Sequence, residues 1–201
     1  MKYTELQKKI QLPVFSRHDL KLWGAKLFGY QLSLWQKRGY LIKLKNGVYA
    51  FADRLGGLSA EEVAGLLYSP CYLSLEKALS YYGLIPEMVY GLTLVTPKTT
   101  RSFKNRLGNF SYRHIQAALF FGYRQLKGKY FPYLIAAPEK ALLDLIYFKL
   151  DKIKDKNDLA ELRLNWPALK KTMAKAKFKR YLAAYKHKGM KAIGNLIMER
   201  L

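Results

Sequence analysis

Phe28-Gly29-Tyr30-Gln31-Leu32-Ser33-Leu34-Trp35-Gln36-Lys37-Arg38 followed by Gly39-Tyr40-Leu41-Ile42-Lys43-Leu44-Lys45-Asn46-Gly47-Val48-Tyr49-Ala50-Phe51 decides the reading of the first part of the chain. In the first half, Phe28, Leu32 and Trp35 recur at i, i+4, i+7, which predicts a helix with that stripe facing a core, and Gly39 supplies its stop. The second half changes period. Two runs rich in β-branched and aromatic residues flank Lys45-Asn46-Gly47, and Asn-Gly between such runs predicts a hairpin because both residues tolerate positive φ.

Upstream of this stretch, Leu6 and Ile10 lie four apart on one face of a helix beginning at Tyr3. Ser16 with Asp19 three residues later resembles a capping box and predicts a short helix through Leu22 and Trp23, broken by a turn at Gly24 and Ala25. Three short helices and a hairpin within about fifty residues predict a winged helix-turn-helix. Its third helix presents Lys26, Tyr30, Gln31, Ser33 and Lys37 away from the apolar stripe, with Gln31 the side chain suited to adenine edges. Lys43, Lys45 and Asn46 would sit on the wing beside a phosphate backbone.

Charge agrees with this reading. The 201 residues carry 36 Lys+Arg against 14 Asp+Glu, a formal net charge of +22. A polyanion is the natural counterpart of such a surface, double-stranded nucleic acid first and an anionic membrane second. Residues 1–52 hold ten basic and two acidic residues, residues 53–150 twelve and seven, and residues 151–201 fourteen and five. Half the chain is nevertheless hydrophobic, which excludes disorder. The lone Cys71 excludes an internal disulfide and a cysteine-built zinc site, and fits a reducing, cytoplasmic compartment. No apolar run is long enough to span a bilayer, so no membrane is expected.

Asp53-Arg54-Leu55-Gly56-Gly57-Leu58-Ser59 has the composition of a boundary, which places a winged helix at 1–52 and a second domain at 59–201. In the second domain, Ser74 is expected to cap a helix that stops at Gly83 and is closed by Pro86. Strand-like runs follow at 89–96, 109–115, 121–126 and 130–136, with a turn at Lys127-Gly128-Lys129. Pro138 then opens a helix with Leu142, Leu143, Ile146 and Leu150 on its apolar face. From Asp158 onward, Leu162, Trp166, Leu169, Met173, Phe178, Leu182 and Tyr185, then Met190, Ile193, Ile197 and Leu201, predict two or three amphipathic helices between lysines. The expected fold class is α+β with a basic helical tail.

The blocks Ser74-Leu75-Glu76-Lys77-Ala78-Leu79 with Gly83-Leu84-Ile85-Pro86-Glu87, then Thr96-Pro97-Lys98-Thr99-Thr100-Arg101, then Pro138-Glu139-Lys140-Ala141-Leu142-Leu143-Asp144 resemble the AbiEi family of antitoxin-type transcriptional regulators. The resemblance implies an N-terminal winged helix that binds inverted repeats in its own promoter. It also implies a second domain that neutralises a nucleotidyltransferase toxin of the AbiEii kind without a stable complex. The motif positions it carries over are Ser74, Glu76, Lys77, Lys98, Arg101, Glu139, Lys140 and Asp144; no cofactor is expected. A stand-alone DNA-binding regulator without a toxin is the plainer form of the same reading.

The competing enzyme reading is a basic, metal-dependent nuclease using Glu139 and Asp144. Five residues turn a helix by about 140°, so the two carboxylates do not share a face. Glu139 is more simply placed to meet the helix dipole, and Asp144 to make a buried or inter-element salt bridge, with an arginine of 101–113 as one candidate partner. His18, His114 and His187 fall in separate segments without metal-ligand spacing, Gly56-Gly57 lacks the strand and lysine of a phosphate loop, and Ser74 lacks the turn of a hydrolase nucleophile. No catalytic and no metal-binding residue is expected.

Overall fold

The computed structural model describes residues 1–24, 26–153 and 156–201. Ala25, expected in the turn after the second helix, lies outside the described residues. The described chain is mixed α+β, with ten α-helices and two sheets. It forms two compact units. One comprises Met1–Ser69 with Phe103–Asn109 and Lys127–Tyr133, and the other comprises Pro70–Ser102, Phe110–Leu126 and Leu134–Leu201.

In the first unit, α1 (Tyr3–Lys9) begins where the Lys2 N–H donates to Glu5 Oε2 at 2.9 Å. Strand β1 (Val14–Ser16) runs directly into α2 (Arg17–Leu22). The expected capping box holds that start: the Asp19 N–H donates to Ser16 Oγ at 3.1 Å and the Ser16 N–H donates to Asp19 Oδ2 at 2.7 Å. After α3 (Gly29–Lys37), strands β2 (Leu41–Lys45) and β3 (Val48–Phe51) form the expected hairpin. Gly47 has φ +79° there, so of the Asn-Gly pair it is the glycine that takes the left-handed turn. All three strands pair antiparallel in the order β1-β3-β2, with Val14 opposite Ala50 and Ile42 also opposite Ala50. Sequence alone did not reveal β1. Leu6, Ile10, Phe15, Leu20, Leu32, Trp35, Leu41, Tyr49 and Phe51 close the core.

One member of the α3 stripe is misplaced by the periodicity. Phe28 occupies the N-cap position in extended backbone (φ −87°, ψ 149°), so its side chain leaves the Leu32/Trp35 face and is 63% exposed. A helical wheel does not govern a residue that is not yet helical.

Beyond the hairpin, residues 53–58 are less free than a linker, since the Arg54 guanidinium donates to the carbonyls of Ile10 and Gln7. An unanticipated helix, α4 (Ala60–Leu67), starts on a second box, Ser59 with Glu62. Glu62 is buried, and its Oε1 accepts from the Phe131 and Tyr130 N–H groups at 2.9 Å and 2.5 Å. Burial alone would raise this carboxyl, but the backbone donors of Phe131, Ser59 and Tyr130 outweigh it and hold Glu62 below the usual carboxylate range.

The larger sheet contains β4 (Tyr72–Leu73), β5 (Leu92–Thr96), β6 (Arg101–Asn105), β7 (Gly108–His114), β8 (Tyr123–Leu126) and β9 (Tyr133–Ala136), in the order β6-β7-β5-β4-β9-β8. Strands β4 and β5 are antiparallel, whereas β4 with β9 and β5 with β7 are parallel. Between β4 and β5 lies α5 (Leu75–Tyr81), and after β9 comes α6 (Pro138–Phe148), with Pro138 in its first turn. Every residue of α6 from Glu139 to Ile146 is buried, so this is a central helix enclosed on all sides rather than one with a single apolar face. Helices α5, α9 (Lys175–Ala183) and α10 (Lys188–Arg200) pack on it. The tail also includes α7 (Lys156–Glu161) and α8 (Trp166–Thr172), making four helices from 156 onward where two or three were expected. Leu169, Met173, Phe178, Leu182, Tyr185, Met190, Ile193 and Ile197 are buried as their spacing required.

Candidate functional site

Two constellations carry chemistry, one exposed in the first unit and one buried in the second. The exposed one lies on α3 and the hairpin. Tyr30, Ser33, Leu34 and Lys37 share one helix face by their three- and four-residue spacing, and all four are exposed. Lys26, Lys43 and Asn46 are exposed as well.

Two expected members leave the set. Gln31 is tied down at both ends of its amide: Oε1 accepts from the Phe28 N–H at 3.1 Å and Nε2 donates to the Met1 carbonyl at 2.8 Å. It caps α3 and holds the chain start, so its amide is already oriented by the protein's own backbone. Lys45 is half-buried and its Nζ donates to the Leu67 carbonyl at the end of α4. Ser33 in turn donates its hydroxyl to the Gly29 carbonyl at 3.2 Å, one turn back.

What sequence reasoning missed is that Phe28, expected in the core, joins the expected surface residue Tyr30 in an exposed aromatic pair. Phe28 and Tyr30 stack on each other with ring centroids 5.9 Å apart and planes 17° apart, and Leu22 and Trp23 at the end of α2 are also exposed. Arg17 is exposed at the start of α2, and its guanidinium comes within 4.0 Å of where a Cβ on Gly29 would stand. The only available signal was that Phe28 precedes Gly29, a residue that marks the helix entry.

The buried constellation gathers three of the eight motif residues. Ser74, Lys140 and Asp144 meet at a fully buried polar cluster with Tyr72 and Tyr185. Asp144 Oδ2 accepts from the Ser74 hydroxyl at 2.7 Å and the Tyr72 hydroxyl at 3.0 Å. Its Oδ1 accepts from the Tyr185 hydroxyl at 3.0 Å and pairs with the Lys140 ammonium, which also donates to Tyr185 Oη at 2.8 Å. The carboxylate thus has four donors on two oxygens. The ammonium is enclosed by the rings of Tyr72, Phe121 and Tyr185, with centroids 5.1 to 5.7 Å away.

Burial lowers Lys140 below an ordinary lysine although Asp144 pulls the other way. Burial raises Tyr72 and Tyr185 well above an ordinary phenol, and the neighbouring carboxylate adds to it. Such an arrangement holds a buried charge in place; with every member fully enclosed, it offers no exposed reacting group.

Two expectations are corrected here. Asp144 pairs with Lys140, one turn earlier on its own helix, and not with an arginine of 101–113; Arg113 instead lies over the Phe148 ring at 5.2 Å. Ser74 stands at the N-cap of α5 by its backbone, but its hydroxyl makes no cap bond and points to Asp144. The next residue, Leu75, is buried with φ +53°, a strained conformation for a branched side chain.

The other motif residues disperse. Glu76 pairs with Lys149 at 2.9 Å, and the Lys77 N–H donates to Thr93 Oγ1. Lys98 and Arg101 are exposed around the turn into β6. Glu139, in the first turn of α6, is buried, accepts from the Ala174 N–H at 3.0 Å and pairs with Lys177 at 3.1 Å. It therefore also anchors the start of α9, beyond any interaction with its own helix dipole. Among the described residues, no three His, Cys, Asp or Glu side chains cluster as a metal ion would require, and no helix is long and apolar enough to cross a membrane. No protein-family model and no curated protein matches this chain.

Proposed function

We propose that the chain is a DNA-binding transcriptional autoregulator that works in the cytoplasm, with α1, α2, α3 and the β2–β3 hairpin acting as a winged helix-turn-helix. The observation that carries this reading is the exposed face of α3, with Tyr30, Ser33 and Lys37 in line and Lys26, Lys43 and Asn46 exposed before and after it. The charge of +22 supplies the sequence-independent part of the affinity. The partner is double-stranded DNA of the protein's own promoter, bound at inverted repeats, and the second unit acts without catalysis as an antitoxin against a nucleotidyltransferase. The antitoxin half rests on the resemblance of the Ser74–Glu87 and Pro138–Asp144 blocks to AbiEi proteins.

Anisotropy titration of a labelled promoter duplex tests the first half. The full-length triple variant Lys26→Ala, Lys37→Ala, Lys43→Ala should bind at least tenfold more weakly at moderate salt. Unchanged binding by the folded variant would falsify the assignment of the interface. The second half is tested by co-expressing the same full-length variant with a nucleotidyltransferase encoded beside it. Growth rescue equal to wild type keeps the antitoxin function in the second unit, whereas toxicity with either protein sinks it.

A further inference from the structure

At the start of α3, two of the polar side chains expected to face a base are already engaged within the protein. Gln31 is bonded to Phe28 and Met1, and the Ser33 hydroxyl donates to Gly29. What stands in water at this end of the helix is instead a stacked aromatic pair, Phe28 at 63% and Tyr30 at 68% exposure. Leu22 at 70% and Trp23 are exposed as well, at the end of α2. Exposed apolar groups in such a cluster mark a contact surface.

Its surroundings select the occupant. Arg17 comes close to Gly29, Lys21 and Lys26 are exposed on either side of Trp23, and Lys37 continues the helix face. The two acidic residues of residues 1–52, Glu5 and Asp19, are both spent accepting backbone N–H groups at helix starts. An exposed aromatic pair next to Arg17, in a segment with ten basic and two acidic residues, fits a polyanion that carries an apolar group within a groove. In the major groove of duplex DNA that group is the C5-methyl of thymine.

We infer that Phe28 and Tyr30 are specificity-determining residues that read thymine methyl groups in the major groove, with Arg17 and Lys26 on the flanking phosphates. This rests on the DNA-binding reading above and sharpens it from a hydrogen-bonding reader to an apolar one. Each thymine methyl buried against the pair should be worth about fourfold in affinity, the usual yield of one buried methyl group.

The test begins with full-length protein and a library of random 25-base-pair duplexes, followed by measurement of the best-enriched duplex rebuilt with deoxyuridine at each thymidine in turn. Wild type should enrich a thymine-containing site and lose about fourfold at one or more positions when the methyl is removed. The double variant Phe28→Ser, Tyr30→Ser should bind the thymidine and deoxyuridine duplexes equally while keeping the wild-type dependence on salt. Both side chains are exposed, so the variant should melt as wild type does, and the wild-type comparison needs no variant at all.

Enrichment of a site with equal affinity for both duplexes overturns the inference and leaves DNA binding intact. Failure to enrich any site overturns the DNA-binding reading with it. A wild-type dimer in sedimentation that the double variant converts to monomer, with methyl discrimination retained, overturns the inference in favour of a second copy of this chain on the aromatic pair.

Discussion

Lys37 and Lys140 are both helical lysines of a strongly basic chain, and they have opposite surroundings. Lys37 lies in water on the exposed face of α3; Lys140 is fully buried, with Asp144, Tyr185 and three aromatic rings around its ammonium. An exposed charge interacts weakly with its own protein and is available to a partner across the solvent. A buried one is held only by its immediate hydrogen bonds, because leaving it unpaired in a low-dielectric interior is far more costly. The same residue type is therefore open to solvent in one place and built into the fold in the other, and net charge counts the two alike.

The sharpest way to break this contrast is to remove one partner of the buried pair. Asp144→Ala leaves the Lys140 ammonium uncompensated and should cost about 3–5 kcal/mol in urea denaturation. Replacing both partners, Lys140→Met with Asp144→Leu, removes the uncompensated charge but still leaves the hydroxyls of Ser74, Tyr72 and Tyr185 without their acceptor, so it should recover only part of that loss. A cost below 1 kcal/mol for Asp144→Ala would mean that Lys140 reaches water, and the contrast with Lys37 would fall.

Alkaline pH probes the same cluster without a substitution. Burial raises Tyr72 and Tyr185 of the cluster, and Tyr112 on β7 as well, above the ordinary phenol, so their contribution is fully present below the unfolded value near 10 and is lost as pH rises past it. The loss from the three phenols should reach about 2–3 kcal/mol by pH 10.5, added to a loss of similar size that starts near pH 9 from the Cys71 thiol, which burial pushes up to about 12. Lys140 works in the opposite sense, because its lowered value makes the unfolded chain bind more protons up to the ordinary lysine range, so the decline should steepen once that range is passed. Stability followed by urea titration at pH 8, 9, 10 and 10.5 gives the profile; a flat curve would show that the phenols ionise in the native state.

How legible these features were depends on the sequence distance over which they form. The Ser16–Asp19 box and the turn at Gly47 are complete within four residues, so the local pattern contains everything that decides them. The Ser59–Glu62 box was equally local and was obscured by the adjacent Gly56-Gly57, whose composition suggests a boundary. By contrast, Lys45 is bonded 22 residues away and Gln31 30 residues away, and nothing near either residue announces the partner. The Lys140–Asp144 pair had a visible i, i+4 spacing, yet spacing cannot separate a solvated helix pair from a buried one. That distinction came from Tyr72 and Tyr185, supplied by segments 72 and 45 residues distant. The two-residue strand β4 is too short for any alternation to show.

Gln31 gives a smaller effect that separates structure from recognition within the first unit. Gln31→Ala removes the acceptor for the Phe28 N–H and the donor to the Met1 carbonyl, both near the surface, and should cost about 1 kcal/mol of stability. Its effect on DNA should be uniform across sequences. If the variant instead relaxed base preference at a single position while melting as wild type does, Gln31 would be a reader after all.

The smallest expected stability effect belongs to Lys37→Ala and Lys43→Ala, and it completes the contrast with Lys140. Both side chains are exposed, so each substitution should change unfolding free energy by no more than about 0.5 kcal/mol. In DNA binding the same substitutions should each reduce the slope of log affinity against log salt by about one, since each removes one phosphate contact and the counterion it releases. Sequence preference should survive, because phosphate contacts position the protein without reading bases. Lys45 serves as the internal control: its ammonium is engaged by the Leu67 carbonyl, so Lys45→Ala should destabilise the first unit while leaving the salt slope unchanged. A slope that falls with Lys45→Ala as much as with Lys43→Ala would return Lys45 to the interface and show that its bond to Leu67 opens on DNA.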